Sequence, residues 1–165
     1  MAKIQPDQPL LPSVLDRLLD DDPAATRDPP RSRHQILREL KQSVRRDLEN
    51  LLNTRRQPRP LPPGLAELER SLAAYGVPDV TGPAYGSVEG AERFRALLEE
   101  VIVRWEPRFA RVAVALSDAG GGERIDRTLR FRIDALLKAD PAPEPVVFDS
   151  TFEPTTCSVE VRGVS

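Results

Sequence analysis

The stretch Trp105-Glu106-Pro107-Arg108-Phe109 decides the fold, because the spacing of apolar residues changes across it. Before it, apolar residues recur at the three- and four-residue spacing of a helix: Phe94, Leu97, Leu98, Val101, Ile102 and Trp105. After it, Val112, Val114 and Leu116 alternate with other residues, as in a half-buried strand. Pro107 donates no backbone hydrogen bond and disfavours a helical conformation at Glu106, so a sharp turn is predicted here.

We call Glu106, Pro107 and Arg108 the corner, and its charged residues have two compatible roles. In the first, they bond to neighbouring backbone and fix the turn from helix to strand. In the second, they bind a partner, because a stiff segment loses little conformational entropy on docking. The sequence gives these two interpretations equal weight.

The rest of the chain predicts helices first and strands afterwards. A short amphipathic helix after Ser13, a long helix over residues 36–52 and a brief helix over 65–72 precede the helix that Ser87 caps. Strands are then predicted around residues 112–116, 129–135, 146–148 and 157–161, the last including Cys157 at an inward position. The predicted fold is α+β, with about four N-terminal helices packed on a C-terminal antiparallel sheet of three to four strands.

Composition indicates one main domain in a chain of 165 residues with 17 prolines and 30% charged residues. We predict a short helix and proline-rich linker over residues 1–30 and a single α+β domain over 31–165. The net charge is −2, but residues 31–60 carry nine basic and three acidic groups, a local charge of +6. Such segregation favours docking to differently charged surfaces.

The polar N-terminus and the lack of a long apolar run predict a cytoplasmic protein without direct membrane insertion. Within the basic segment, Arg38, Lys41 and Arg45 recur at helical spacing and are candidate partner-binding residues. Nucleic-acid surfaces often combine such charge with exposed aromatic residues, and this segment has none. An acidic protein partner or simple solvation therefore fits better than nucleic acid.

The sequence offers little support for cofactor or metal chemistry. Gly120-Gly121-Gly122 lacks the Lys-Ser/Thr pair of a P-loop and indicates a hairpin connection. The single histidine, His34, and the acidic run Asp20-Asp21-Asp22 lack metal-ligand spacing. One cysteine, Cys157, excludes an internal disulfide. No cofactor is predicted.

Acid–base hydrolysis is the enzymatic alternative, because Glu99, Glu100 and Glu106 cluster near the end of the fourth helix. A glycosidase needs two carboxyl groups about 5–10 Å apart, one of them with a raised pKa. Glu99 and Glu100 instead lie on the polar side of an amphipathic helix and are interpreted as surface charges.

Four ordered blocks resemble a known family. The corner with Arg111-Val112-Ala113-Val114 resembles the Glu-Pro-Arg signature of the GPW-type baseplate wedge proteins, and 71–79 (SLAAYGVPD) resembles the loop that precedes it. The stretches 10–18 (LLPSVLDRL) and 43–55 (SVRRDLENLLNTR) are similar to its type VI secretion branch, called TssE. The proline-rich 58–63 and Pro154 depart from this pattern and leave the sheet boundaries open.

This resemblance implies a non-enzymatic baseplate subunit at the inner face of the cell membrane. It implies that Glu106, Pro107 and Arg108 contact a core bundle made by TssF and TssG. It further implies that the sheet, with its unpaired edges, links the wedge to the first ring of the sheath proteins TssB and TssC and helps template sheath assembly. Family members have been likened to lysozyme, so a cell-wall hydrolase is the alternative.

Overall fold

The computed structural model describes Asp16, Leu18 and Ala24 together with residues 32–56, 64–78, 87–117, 128–139 and 142–164. These residues form, in order, α1 (Arg33–Asn53), α2 (Ala66–Glu69), a 3-10 turn (Leu72–Ala74), α3 (Val88–Trp105), β1 (Phe109–Leu116), β2 (Leu129–Leu137), β3 (Glu144–Glu153) and β4 (Ser158–Val164). The predicted α+β class with an antiparallel sheet is confirmed.

Serine residues begin both long helices. Ser32 and Gln35 form a capping box at α1, in which each side chain accepts a hydrogen bond from the other residue's backbone N–H. The Ser87 hydroxyl accepts a hydrogen bond from the backbone N–H of Gly90 at 3.0 Å and caps α3, as predicted.

The predicted number of helices is wrong, because the described residues contain three α-helices rather than four. Most of the predicted first helix lies outside the described residues, although Asp16 and Leu18 are both helical. The predicted third helix is one short turn, α2, followed by the 3-10 turn. The Ser71 hydroxyl accepts the N–H of Ala73 there, a local bond that competes with helix continuation. The division into 1–30 and 31–165 stays a prediction.

The four strands form an antiparallel meander in the order β1-β2-β3-β4, so β1 and β4 are the two edges. A register shift interrupts the β1–β2 pairing between Phe109 and Arg111, next to the corner. Successive residues of β2 alternate between buried and more exposed, which gives the sheet one covered and one open face.

Helices α1 and α3 cover the buried face of the sheet, α1 packing beside β4 and α3 beside β1. The Phe94 ring of α3 lies 4.6 Å from that of Phe152 on β3 and 6.5 Å from that of Phe131 on β2, measured between centroids. The open face carries exposed charged residues from all four strands: Arg111, Arg130, Arg132, Asp149, Glu160 and Arg162.

Gly76 fixes the segment that leads from the 3-10 turn back to the end of α1. Its φ of +101° is left-handed, and a Cβ there would lie 2.5 Å from the carbonyl oxygen of Thr54. The close approach lets the N–H of Val77 donate to that carbonyl at 2.8 Å. Gly76 thereby sets the position of the preceding Tyr75 ring, which packs against Trp105.

The prediction that Cys157 lies within a strand is wrong. Residues 154–157 form the turn between β3 and β4, and Cys157 has a positive φ of 53° and is half-buried. Pro154, just after the last residue of β3, disfavours continuation of the strand and accounts for the turn.

Candidate functional site

The corner forms where α3 ends, as the sequence predicted. Trp105 is the last residue of α3, and the N–H of Glu106 still donates to the carbonyl of Ile102 at 2.9 Å. The Glu106 carbonyl then accepts the N–H of Phe109 at 3.2 Å, which closes a tight turn around Pro107. Pro107 itself is exposed.

Glu106 and Arg108 form a forked ion pair that is mostly buried. The Arg108 guanidinium donates from Nε to Glu106 Oε1 at 2.7 Å and from Nη2 to Oε2 at 2.5 Å. The backbone N–H of Arg108 also donates to Oε1 at 3.3 Å. With 6% of its surface exposed, Glu106 contacts its own fold rather than solvent. The structural role of this side chain therefore has direct geometric support.

Asp47 of α1 extends this ion pair into a network. Arg108 Nη2 donates to Asp47 Oδ2 at 2.8 Å, so one guanidinium binds two carboxylates from different parts of the chain. The hydrogen bonds that Arg108 donates to Glu106 and then to Asp47 raise the pKa of Arg108 against the opposing effect of burial. The network fixes the angle between α1 and the corner.

A second part of the network reaches the N-terminal segment through Asp16. Arg46 Nη2 donates to Asp16 Oδ1 at 2.7 Å, and the buried Ser43 hydroxyl donates to Asp16 Oδ2 at 2.5 Å. Arg46 also pairs with Asp47, at 3.3 Å, and so joins the two parts.

A shallow cleft of about 380 Å³ lies beside the corner, lined by Asp47, Leu51, Tyr75, Trp105, Glu106, Pro107 and Arg108. The Tyr75 and Trp105 rings meet edge to face, with centroids 5.3 Å apart. Burial, followed by the charges of Asp47 and Glu106, raises the pKa of Tyr75. The cleft therefore combines a half-exposed aromatic pair with carboxylates that are bound by arginine side chains of the same chain.

The three basic candidates on α1 do not form one free patch. Lys41 bridges to Glu144 at the start of β3 at 3.2 Å, and Arg45 donates to Glu49 at 2.9 Å. Arg45 also donates to the carbonyl of Val161 on β4 at 3.1 Å. Arg38 is exposed at the N-terminal end of this stripe. Two of the three thus tie α1 to the sheet.

Two side chains of α1, together with Arg55 just after it, bind backbone groups along the outer edge of β4 and the turn that precedes it. Asn53 donates to the Val159 carbonyl at 2.8 Å and accepts the Val159 N–H at 2.9 Å, as a neighbouring strand would. Arg55 donates to the Cys157 carbonyl, and Arg45 to the Val161 carbonyl. We call Asn53, Arg45 and Arg55 the β4 cap.

Two side chains of α3 cap the outer edge of β1 at a single residue. Glu99 Oε2 accepts the N–H of Val114 at 3.1 Å, and Arg95 Nη1 donates to the Val114 carbonyl at 3.0 Å. Arg95 and Glu99 also pair with each other at 2.9 Å. We call these two residues the β1 cap.

The sequence interpretation missed both caps. It interpreted Glu99 as a surface charge, whereas its carboxylate also accepts the backbone N–H of Val114. The available signal was the i,i+4 spacing of Arg95 and Glu99, which predicts an ion pair on a helix. It does not predict contact with a strand. Nothing in the sequence around Asn53, the last residue of α1, predicts its contact with β4.

The sequence profile of the family described as baseplate wedge protein gp25 matches residues 38–142, more than half of the chain. The chain belongs to the gp25 family of baseplate wedge proteins. The matched range contains the corner, most of α1, all of α3, β1 and β2, and therefore the β1 cap. Comparison with curated proteins and with solved structures gave no significant match.

Family membership makes the chain a baseplate wedge component, which assembles with other baseplate proteins. The gp25 family consists of structural baseplate proteins. The charged residues of the corner in this chain form an ion-pair network. Arg108 lies between Asp47 and Glu106 and donates to both carboxylates. Within the described ranges, no cluster of His, Cys, Asp and Glu has the makings of a metal site. None of the described helices of this gp25-family chain is long and apolar enough to cross a membrane.

Proposed function

We propose that this chain is the TssE-type subunit of a type VI secretion baseplate. In this role it joins the wedge core, formed by TssF and TssG, to the first ring of the contractile sheath, formed by TssB and TssC. It works at the inner face of the cell membrane, on the cytoplasmic side, as a structural adaptor.

One observation carries the wedge-binding part of the proposal, namely a rigid corner that exposes Pro107 beside an aromatic cleft. The Glu106–Arg108–Asp47 network satisfies the charges of the corner internally, so a partner need not neutralise them. Pro107 and the half-exposed faces of Tyr75 and Trp105 remain as the contact surface. Rigid aromatic and proline groups lose little entropy on binding, which suits a permanent joint.

This geometry changes the division of roles within the corner. Glu106 and Arg108 hold the contact surface in place, and Pro107 touches the partner. Arg38, which is exposed on α1, is the basic candidate best placed for a further partner contact. Lys41 and Arg45 instead fix α1 on the sheet.

Co-purification with TssF and TssG tests the wedge contact with a substitution that spares the ion-pair network. We expect Pro107→Asp to reduce recovery of the complex at least roughly tenfold, because it places a desolvated charge in the interface. The matched control is Pro143→Asp, at an exposed proline before β3. Equal recovery of the folded Pro107→Asp variant and the parent would show that the corner does not bind the wedge core.

Sheath binding is tested separately, with purified TssB and TssC and the parent chain. Retention of the sheath proteins on the immobilised chain is the expected result. If they are not retained while TssF and TssG are, the chain is a wedge component without the sheath-linking role.

A further inference from the structure

Asp16 binds the N-terminal segment to α1 through a carboxylate that accepts two hydrogen bonds from the helix. The Ser43 hydroxyl donates to Asp16 Oδ2 at 2.5 Å, and Arg46 Nη2 donates to Oδ1 at 2.7 Å. The Asp16 side chain is only 18% exposed, and Ser43 is buried. Asp16 therefore satisfies a buried hydroxyl and a guanidinium that would otherwise need another acceptor.

The same two donors lie beside Asp47, the carboxylate that holds Arg108 on α1. Arg46 Nη2 already reaches Asp47 Oδ1 at 3.3 Å, while Arg108 Nη2 binds the other oxygen, Oδ2, at 2.8 Å. Ser43 precedes Asp47 by four residues on the same face of the helix, and its hydroxyl oxygen lies 3.5 Å from Arg108 Nη1. If Asp16 leaves, Asp47 is a carboxylate within reach of both donors.

We propose that Asp16 is a positioning residue for the corner, because it draws two competing donors away from Asp47 and so leaves Asp47 to Arg108. Contact between the N-terminal segment and α1 is thereby coupled to wedge binding at the corner. The proposal rests on the wedge-binding role proposed above and adds a residue that controls it from outside the contact surface. Because such coupling is reciprocal, wedge binding should in turn favour the Asp16 contact.

The two arginines of the network have different preferred carboxylates while Asp16 is in place. Arg46 is 2.7 Å from Asp16 and 3.3 Å from Asp47, whereas Arg108 binds Asp47 at 2.8 Å. The hydrogen bond to Asp16 is the largest influence on the pKa of Arg46, which it raises, and the hydrogen bond to Asp47 is the smallest of these influences. Without Asp16, the two arginines would share Asp47, and the bond that holds the corner on α1 would weaken.

A weaker bond between Arg108 and Asp47 would change the proposed contact surface itself. Both residues line the cleft that also contains Tyr75, Trp105 and Pro107. Asp16 is not one of the described residues that line this cleft. Its effect on a partner would therefore pass through the ion-pair network.

The affinity of the full chain for purified TssF and TssG tests the coupling in two backgrounds. In the parent, Asp16→Ala should weaken binding roughly three- to tenfold, because the competing donors gain access to Asp47. The Ser43→Ala/Arg46→Met double variant lacks both donors and should bind near the parental level. Adding Asp16→Ala to it should change the affinity by less than about twofold. Asp149→Ala removes an exposed aspartate of the open face and, as the control, should bind as the parent does.

Hydrogen exchange of the Arg108 Nη2 protons, followed by heteronuclear NMR, tests the same step without a partner. These protons are donated to Asp47 and Glu106, so they should exchange faster in Asp16→Ala than in the parent. In the triple variant, which also lacks the two donors, the rate should return towards the parental rate. Asp16→Asn keeps the shape of the side chain and removes its charge, and it replaces Asp16→Ala in both measurements if that variant is unfolded.

The outcomes separate this proposal from the role on which it rests. If the parent binds TssF and TssG and Asp16→Ala, folded by circular dichroism, binds equally well, the corner binds the wedge without control by Asp16. Equal losses from Asp16→Ala in both backgrounds would show that Asp16 supports the fold without relieving competition for Asp47. A loss of the same size in the double variant alone would show that Ser43 and Arg46 support the corner directly. Absence of parental binding would reject the wedge role, and Arg108 exchange would then decide whether Asp16 positions the corner.

Discussion

Two glutamate–arginine pairs occur near the C-terminal half of α3, and they differ mainly in their surroundings. Glu106 and Arg108, just after the helix, have side chains that are 7% and 25% exposed. Glu99 and Arg95, on the helix, are 38% and 27% exposed. The first glutamate binds its own corner and is surrounded by protein, whereas the second caps a strand edge and faces solvent.

This difference explains why similar chemistry serves two purposes. A buried carboxylate without its counter-ion is costly, so the corner pair must stay closed and holds the contact surface rigid. An exposed pair contributes little to stability and exchanges partners readily. The same helix therefore leads into a buried ion pair at its end and carries a more exposed strand cap along its side.

Arg108→Ala is expected to have the largest effect on stability. It leaves the Glu106 carboxylate buried without its guanidinium, and such a loss costs about 3–5 kcal/mol. Urea unfolding of the variant and the parent measures the change in the free energy of unfolding. Glu106→Gln, which removes the buried charge instead of its partner, should cost clearly less. A loss below about 1 kcal/mol for Arg108→Ala would mean that solvent reaches Glu106 and that the contrast between the two pairs is wrong.

Asn53→Ala tests the uncharged member of the β4 cap, on the opposite edge of the sheet, and should have an intermediate effect on stability. The substitution removes two hydrogen bonds to Val159, each worth about 0.5–1.5 kcal/mol, so we expect a loss of about 1–2 kcal/mol in urea unfolding. Asn50→Ala, at an exposed position one turn earlier on α1, is the matched control. Equal losses at Asn50 and Asn53 would show that helix propensity, rather than the strand cap, sets the cost.

The elements themselves were largely predictable, because their signals are local. The apolar spacing of α1 and α3 and the alternation of β1 and β2 each place one face inward, and the structure confirms those faces. Gly76 was also predictable, since left-handed backbone after a helix favours glycine. The turn at the corner was predictable from Pro107 and from the change in apolar spacing, from helical before it to alternating after it.

The contacts of the candidate site were not predictable, because they depend on how distant elements meet. Glu99 reaches Val114 only once α3 lies beside β1, and Asp47 reaches Arg108 across 61 positions of sequence. Lys41 and Arg45 looked like a free basic stripe until β3 and β4 supplied their partners. The positive φ of Cys157 likewise depends on a turn whose exact length the alternation did not fix.

Glu99→Ala should cost less than either previous substitution, about 0.5–1 kcal/mol at low salt, because solvent reaches part of the pair that it breaks. High salt should reduce the cost, since a Debye length near 3 Å at about 1 M screens exposed charges. The loss in Arg108→Ala should persist at the same salt concentration. Glu100→Ala changes the neighbouring, exposed glutamate and controls for helix charge. If salt affects the Arg108 and Glu99 variants equally, burial does not distinguish the two pairs.

The pKa of Tyr75 provides the comparison of the two glutamate–arginine pairs in which we expect the smallest effect. Burial and the charges of Asp47 and Glu106 raise its pKa in the folded chain. The unfolded chain then loses this proton more readily, so the stability contributed by the neutral phenol is complete below pH of about 10. That contribution declines as the pH rises from about 10 through the pKa of Tyr75 in the folded chain. Tyr75→Phe should therefore remove this part of the loss of stability at alkaline pH, measured by urea unfolding across that pH range.

Tyr75 is one of two tyrosines, so Tyr85→Phe leaves it as the sole source of phenolate absorbance. In that background, Glu106→Gln should lower the pKa of Tyr75, because it removes one of the charges that disfavour the phenolate. Glu99→Gln should leave the titration unchanged, since Glu99 is not among the groups that raise this pKa. Equal shifts in both variants would mean that Tyr75 responds to the overall charge of the chain. A shift confined to Glu106→Gln would place the charge of the corner, and not that of the β1 cap, at the aromatic cleft.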